Sequence, residues 1–245
     1  MASADWETRW SDDLVMIAGS RWTRKVQDRS EWRALGEAYV QQWTSFGCHN
    51  EDDDGSIINA KWILSSAHCF PCNTEFTVTV QQKTAKGEVK ILGKVIPVNI
   101  IKHSAYIEND ESIENRLHDI ALIKTSKPIR FDEFTWPIEL AKLPPKIGQS
   151  VIIAGYGDTE LRQKLPREGA VEVSECPYEV DDLVCSWHKI RAGGGDSGGA
   201  LTSRGRLVGI TSASCPGAHV EEIDKCITVY TSVTVHLQWI MARIS

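Results

Sequence analysis

Residues 193–200 read Gly193-Gly194-Gly195-Asp196-Ser197-Gly198-Gly199-Ala200, and far upstream residues 62–70 read Trp62-Ile63-Leu64-Ser65-Ser66-Ala67-His68-Cys69-Phe70. A serine hydroxyl is a weak nucleophile until a base takes its proton and backbone donors hold the resulting oxyanion. Ser197 is the candidate nucleophile. The glycines around it carry no side chain to obstruct N–H groups aimed at a reacting oxygen. His68 is the candidate base. An acid to orient it is offered by His118-Asp119-Ile120-Ala121-Leu122, where Asp119 enters an apolar run. The order His, Asp, Ser is one of three unrelated chain orders in which this constellation occurs.

These segments resemble the chymotrypsin/trypsin-like serine proteases. Ser65-Ser66-Ala67-His68-Cys69 is similar to the family's histidine box, Asp119-Ile120-Ala121-Leu122 to its aspartate box and Gly195 to Gly199 to its serine box. Gly155-Tyr156-Gly157-Asp158-Thr159 resembles Gly-Trp-Gly-x-Thr with Tyr for Trp. Val229-Tyr230-Thr231 and Leu237-Gln238-Trp239-Ile240 resemble the end of the last strand and the C-terminal helix. The similarity runs from residue 17 to the end. Three boxes in order are specific where any one alone is not.

The resemblance implies an all-β fold of two antiparallel six-stranded barrels, with a short C-terminal helix and the active site in the cleft between them. The implied division is an N-terminal pro-segment over 1–16, a first barrel over 17–130 and a second over 131–245. It implies a serine endopeptidase working through an acyl-enzyme on Ser197. His68 shuttles the proton, Asp119 orients His68, and the N–H groups of Gly195 and Ser197 form the oxyanion hole. Ser212 matches a serine that supports the catalytic acid. Activation would free the α-amino group of Ile17, in Ile17-Ala18-Gly19-Ser20, to pair with Asp196; Met16 precedes it, so a trypsin-like activator is not expected to cut there.

Several positions depart from the family pattern. Counting back from Ser197 places Arg191 at the floor of the specificity pocket, where trypsins carry Asp. The rim reads Ser212-Ala213-Ser214 and the far wall is Thr228. Buried and unpaired, a guanidinium is costly, so Arg191 either faces solvent or awaits an anion. Non-tryptic specificity is expected. The alternative is a latent or non-catalytic homologue acting as a binding protein, against which stands the complete set of three residues. For disulfides, the resemblance implies Cys48 with Cys69 and Cys176 with Cys185. Gly193 stands where most relatives carry a cysteine, which leaves Cys215 and Cys226 to close their own loop and Cys72 as an unpaired thiol.

The bulk numbers fit this reading. The chain has 245 residues, 42% hydrophobic and 24% charged, with a formal net charge of −6 and a pI near 5.7. Such a length buries a sizeable core unaided. The acidic balance argues against a nucleic-acid or anionic-membrane partner, and no apolar run approaches the ~20 residues that span a bilayer. Protein or peptide substrates, protein inhibitors as possible partners, and a monomer are expected; no cofactor or metal is. Seven cysteines suit an oxidising compartment, yet Met1 to Trp10 is polar and does not read as a secretory leader. A secreted protein whose leader lies outside this sequence is the expectation.

From Ala38 onward short β-branched runs alternate with turn signals, including Ser56 to Ile58, Phe76 to Val80, Val89 to Ile91, Val95 to Ile101, Ile120 to Ile123, Val151 to Ala154, Leu207 to Thr211 and Ile227 to Val233. Many short strands at this spacing indicate a sandwich or barrel. Thr234 to Ile244 reads as a short helix. His49-Asn50-Glu51-Asp52-Asp53-Asp54 reads as a solvated loop, without the Asp spacing of a calcium-binding EF-hand. His49, His103, His118, His188, His219 and His236 read as surface residues.

Overall fold

The computed structural model describes residues 43–48, 51–71, 78–83, 89–95, 97–110, 112–131, 135–157, 167–178, 180, 182–214 and 226–245. The N-terminal sheet contains β1 (Trp43–Cys48), β2 (Glu51–Asn59), β3 (Trp62–Ser65), β4 (Val78–Lys83), β5 (Val89–Val95), β6 (Pro97–Lys102) and β7 (Ala121–Thr125), in the order β5-β4-β1-β2-β3-β7-β6. Its edges, β5 and β6, are consecutive in the chain with one residue between them. The sheet has therefore curled until both edges belong to one stretch, so six chain passes enclose it.

The C-terminal sheet contains β8 (Glu139–Leu140), β9 (Ser150–Gly155), β10 (Arg167–Ser174), β11 (Leu183–Trp187), β12 (Ala200–Ser203), β13 (Arg206–Ser214) and β14 (Ile227–Ser232). Its order is β12-β9-β10-β11-β14-β13-β8, and β12 also pairs with β13. Six antiparallel strands thus close into a barrel, with β8 attached to β13 as a short parallel edge.

The sequence alternation sorts into separate cores. On β3, Trp62 and Leu64 face a cluster shared by both sheets, which also holds Leu122, Ile138, Leu207 and Ile210. Between them Ile63 points the other way, into the N-terminal barrel with Ile57 and Ile123. Both faces of β3 are therefore buried, which is why it reads as a continuous apolar run. A second barrel core packs Val151, Val171, Leu201 and Tyr230. Full burial of a side chain such as Leu64 contributes about 1.5–3 kcal/mol. The shared cluster joins the two barrels.

Two short helices complete the frame. The single turn α1 (Ile113–Arg116) starts at Ser112, whose Oγ accepts from Asn115 N–H at 3.3 Å. Asn115 is buried: its Nδ2 donates to the carbonyls of Ile107 and Asp110, and its Oδ1 accepts from Ile107 N–H. These bonds pin the connection that leads into Asp119. The C-terminal α2 (Leu237–Ile244) buries Ile240 in the inter-barrel cluster; it begins three residues later than its apolar pattern suggested, because Thr234 to His236 form the turn that leads into it. Among the described residues, no helix is long and apolar enough to cross a membrane.

One expectation fails in the fold. Residues 51–54 are not a solvated loop but the first half of β2, paired with β1 from Cys48↔Glu51 to Ser45↔Asp54. Asp54 is fully buried. Antiparallel pairing extends to the tip of the hairpin, so the acidic run follows the ladder inward instead of looping out. His49 and Asn50 lie outside the described residues.

Candidate active site

Asp119 lies just ahead of β7, with no exposed surface. Its carboxylate collects donors on both oxygens. Oδ1 accepts the backbone N–H of His68 at 2.9 Å. Oδ2 accepts His68 Nδ1–H at 2.6 Å and Ser212 Oγ–H at 2.5 Å, with Arg116 Nη1 3.5 Å away. The Asp119 carbonyl accepts from Thr231 Oγ1, which also bonds the Arg116 carbonyl. A buried carboxylate supplied with this many donors is satisfied.

The electrostatics follow from this geometry. Burial alone would raise the Asp119 pKa, but the charge of His68 and the hydrogen bonds from His68 and Ser212 outweigh it and hold it low. Burial alone would lower His68; the Asp119 carboxylate, by charge and by hydrogen bond, reverses that and leaves His68 above its ordinary value. Its Nδ1–H is committed to Asp119, so Nε2 carries the lone pair.

Ser212 reaches Asp119 because β13 bulges there. Thr211 pairs with Tyr230 and Ala213 with Val229, which leaves Ser212 as the extra residue. A bulge re-aims a side chain that regular alternation would point elsewhere. The neighbouring Thr211 carbonyl accepts from both Gly198 N–H at 2.9 Å and Ser66 Oγ at 2.8 Å. Thr211 and Ser212 thus tie the serine loop, the histidine box and the aspartate to one strand.

The serine loop also docks on β2. Asp54 N–H donates to the Ser197 carbonyl at 2.7 Å, and Ser65 Oγ donates to the Asp54 carbonyl at 2.7 Å. Gly198 has φ +79°, and a Cβ there would fall 2.1 Å from both the Asp54 carbonyl oxygen and Ser65 Oγ. Glycine is required for both reasons. Among the described residues, the N–H groups of Gly195 and Ser197 make no hydrogen bond within the protein, as an oxyanion hole needs. Asp196 accepts from Gly157 N–H and Gly193 N–H, each at 2.7 Å. Asp54 Oδ2 accepts from Tyr156 N–H at 2.9 Å. A Cβ on Gly155 would meet Asp196 Oδ1 at 2.0 Å and Asp54 Oδ2 at 2.7 Å, so two carboxylates converge on this glycine.

The remaining candidates divide. Ala213 and Ser214 continue along β13, and Ser214 Oγ lies 3.3 Å from Thr228 Oγ1 on β14. Arg191 is exposed and lines a cavity of about 280 Å³ with Gly155, Gly157, Glu168, Asp196 and Thr211. Ile17 lies outside the described residues.

The cysteines need one correction. Cys176 and Cys185 form a disulfide with Cα atoms 5.3 Å apart. Cys226 is disulfide-bonded as well, while Cys215, its implied partner, and Cys72 lie outside the described residues. Cys69, however, is a free, buried thiol, so the bridge to Cys48 implied by the resemblance is not made. Cys48 sits at the tip of the β1–β2 hairpin, opposite Glu51. The groups beside the Cys69 thiol are instead Asp53 and Ser65, and burial with the Asp53 charge pushes its pKa well up.

The histidines need another. His103, His118 and His236 form a cluster, and His236 is buried. Their rings stack and cross with centroids 4.8–6.0 Å apart, against Trp239. Burial and its two histidine neighbours pull His103 down to about 4, and burial lowers His236. His188 is exposed as expected; His49 and His219 lie outside the described residues. Sequence reading missed this cluster along with Asp54, Arg116 and Thr231, none of which has a local signature.

Two β-barrels carrying a histidine box, a buried aspartate and a glycine-flanked serine define a serine endopeptidase of the chymotrypsin type. The chain belongs to the trypsin family, whose model matches residues 37–240. Among its relatives, the thrombin-like enzyme elegaxobin-1 of Protobothrops elegans is 28% identical over 208 residues, covering 78% of this chain and 85% of that one. Kallikrein-8 of Mus musculus is 29% identical over 201 residues, covering 76% and 74%. Neuropsin, a serine protease of mouse brain, superposes with a TM-score of 0.70 over 85% of this chain and 96% of its own, at 22% identity. Substrates of such an enzyme are proteins or peptides.

Proposed function

We propose that this chain hydrolyses peptide bonds through an acyl-enzyme on Ser197, with His68 as base and acid and Asp119 as the orienting carboxylate. The observation that carries this reading is the pair of bonds from His68, backbone and ring, to the two oxygens of one buried carboxylate. They hold the imidazole in the tautomer whose Nε2 accepts a proton. Ser197 Oγ gives its proton to Nε2 and attacks the substrate carbonyl. The oxyanion then meets the N–H groups of Gly195 and Ser197, the leaving amine takes the proton back from His68, and water repeats the cycle. In maturation the freed amine of Ile17 pairs with Asp196. The candidate pocket residues, Arg191, Ser212, Ala213, Ser214 and Thr228, bring hydroxyls and a cation but no acid, so cleavage after Lys or Arg is not favoured.

Labelling with a fluorophosphonate tests the nucleophile, since only a serine with an assembled base reacts fast. Ser197 should label in the matured chain, and Ser197→Ala should abolish both labelling and hydrolysis, by about 10⁴- to 10⁶-fold in rate. A folded, matured chain that neither labels nor cleaves is the latent homologue. A peptide-library profile dominated by cleavage after Lys or Arg would overturn the specificity.

A further inference from the structure

We propose that His103, His118 and His236 form a binding site for a divalent transition-metal ion of the Zn²⁺ type, and that its occupation slows hydrolysis by displacing Asp119. Each histidine presents a ring nitrogen, and the three atoms lie within 4.8 Å of one another. A tetrahedral zinc site with Zn–N bonds of about 2.0–2.1 Å holds its nitrogens about 3.3–3.4 Å apart. The cluster is thus one small contraction from coordination geometry.

Two further observations point to a ligand. The Nδ1 atom of His118 is buried and has no hydrogen-bond partner, a cost that a metal would remove. His236 Nδ1 sits 2.9 Å from the Ser232 carbonyl. Donating that N–H fixes the tautomer and leaves Nε2 as the ligand atom, the arrangement metal-bound histidines use. Among the described residues, a metal taken by His103 Nδ1 would cost the 3.3 Å contact from Ala105 N–H. An all-imidazole donor set suits zinc, copper or nickel and not calcium or magnesium, which take oxygen ligands. His103 and His118 are only partly buried, so an ion can enter and a water can fill the fourth position.

The coupling to catalysis is covalent and short, and this half rests on the proteolytic reading above. His118 directly precedes Asp119. Ile120 N–H donates to the His118 carbonyl at 2.8 Å, and His103 N–H donates to the Ile120 carbonyl at 3.0 Å. Drawing His103 and His118 onto one ion therefore pulls on the turn that aims the Asp119 carboxylate. A misplacement of about 1 Å in a catalytic group costs about 10²-fold in rate.

Titration of the untagged, metal-free chain carrying Ser197→Ala with Co²⁺ tests the site without reference to activity. One ion per chain, with the intense visible bands of tetrahedral cobalt and displacement by Zn²⁺, is expected. His103→Gln, at a partly exposed position that tolerates exchange, should weaken binding more than about 100-fold, because losing even an outer partner of a ligand costs 10- to 100-fold. Absence of saturable binding at micromolar ion, or binding unchanged in His103→Gln, would overturn the site. With the active chain, saturating Zn²⁺ should lower hydrolysis at least tenfold, reversibly with EDTA, and His103→Gln should move this inhibition to higher zinc in step with binding. Occupied protein that cleaves at full rate would overturn the coupling. A chain that never cleaves would refute the proteolytic reading and leave the cobalt titration to decide the site.

Discussion

Replacing Asp119 with asparagine exchanges one carboxylate oxygen for an NH₂ group and leaves the shape almost unchanged. Every group facing that carboxylate is a donor: His68 N–H at Oδ1, and His68 Nδ1–H, Ser212 Oγ–H and Arg116 at Oδ2. The backbone N–H of His68 cannot rotate away, so the amide oxygen must take the Oδ1 position and the NH₂ must face His68 Nδ1. The imidazole can meet a donor only by switching tautomer, which puts the proton on Nε2 and removes the lone pair meant for Ser197. The charged transition-state imidazolium also loses its partner. Two charge-assisted bonds at about 1.5–3 kcal/mol each amount to about 3–6 kcal/mol, or about 10²- to 10⁴-fold in rate, and the inverted tautomer places the result at the upper end. The assay is kcat for a peptide ester or amide at pH 7, with active sites titrated and folding verified by near-ultraviolet circular dichroism. A loss smaller than tenfold would refute the role given to Asp119.

The pH profile carries a sign. His68 is raised above 6.5 and works as the neutral base, so kcat/KM should fall as pH drops through a midpoint above 6.5; a midpoint at or below it contradicts the Asp119 contact. By linkage, the same shift stabilises the fold fully below 6.5, and this contribution fades as pH rises through the folded pKa. Gly198→Ala would press a Cβ to 2.1 Å from the Asp54 carbonyl and from Ser65 Oγ at a positive φ, so about 1–3 kcal/mol of stability and at least tenfold in kcat should be lost, read by urea midpoint and steady-state rate. Ser212→Ala removes one donor from Asp119 while the His68 bonds remain, so kcat should fall by about tenfold, for one hydrogen bond of about 1–1.5 kcal/mol, with KM little changed.

His68, Asp119 and Ser197 could be picked out as candidates because each sits in a short segment of distinctive neighbours, and chain order relates the segments without any knowledge of distance; the contact the structure gives among them is that of His68 with Asp119. The strands were legible because alternation and β-branched runs are local. What supports the site is not local. Ser66 meets Thr211 across 145 residues, Tyr156 meets Asp54 across 102 and Ser212 meets Asp119 across 93. Ser212 was expected beside the acid only through the resemblance; the bulge that turns it there has no signature in Thr211-Ser212-Ala213. Asp54 was misread because an acidic run ordinarily signals solvent, and only pairing with β1 shows that it runs into the core. His103, His118 and His236 come from three separate stretches, so nothing in any one of them announces the cluster.

Two of the family's covalent ties are absent near the site: Cys69 keeps its thiol, and Gly193 replaces a cysteine. A disulfide typically contributes about 2–4 kcal/mol, and its loss would loosen the loops that carry His68 and Ser197. The bonds found at these places run the other way. Ser65 Oγ and Asp54 N–H link the strand before His68 to the Ser197 carbonyl, and Gly193 N–H is taken by Asp196. At about 0.5–1.5 kcal/mol each, and more for the bond to a carboxylate, three such bonds are comparable to one disulfide. Unlike a disulfide, they act only in the folded state and do not restrict the unfolded chain. They also depend on barrel closure and on the tight packing at Gly198 and Gly155, where no side chain fits. The site's rigidity is thereby tied to the cooperative stability of both barrels, so destabilising substitutions in the inter-barrel cluster around Leu64 and Leu122 should lower activity before they unfold the chain.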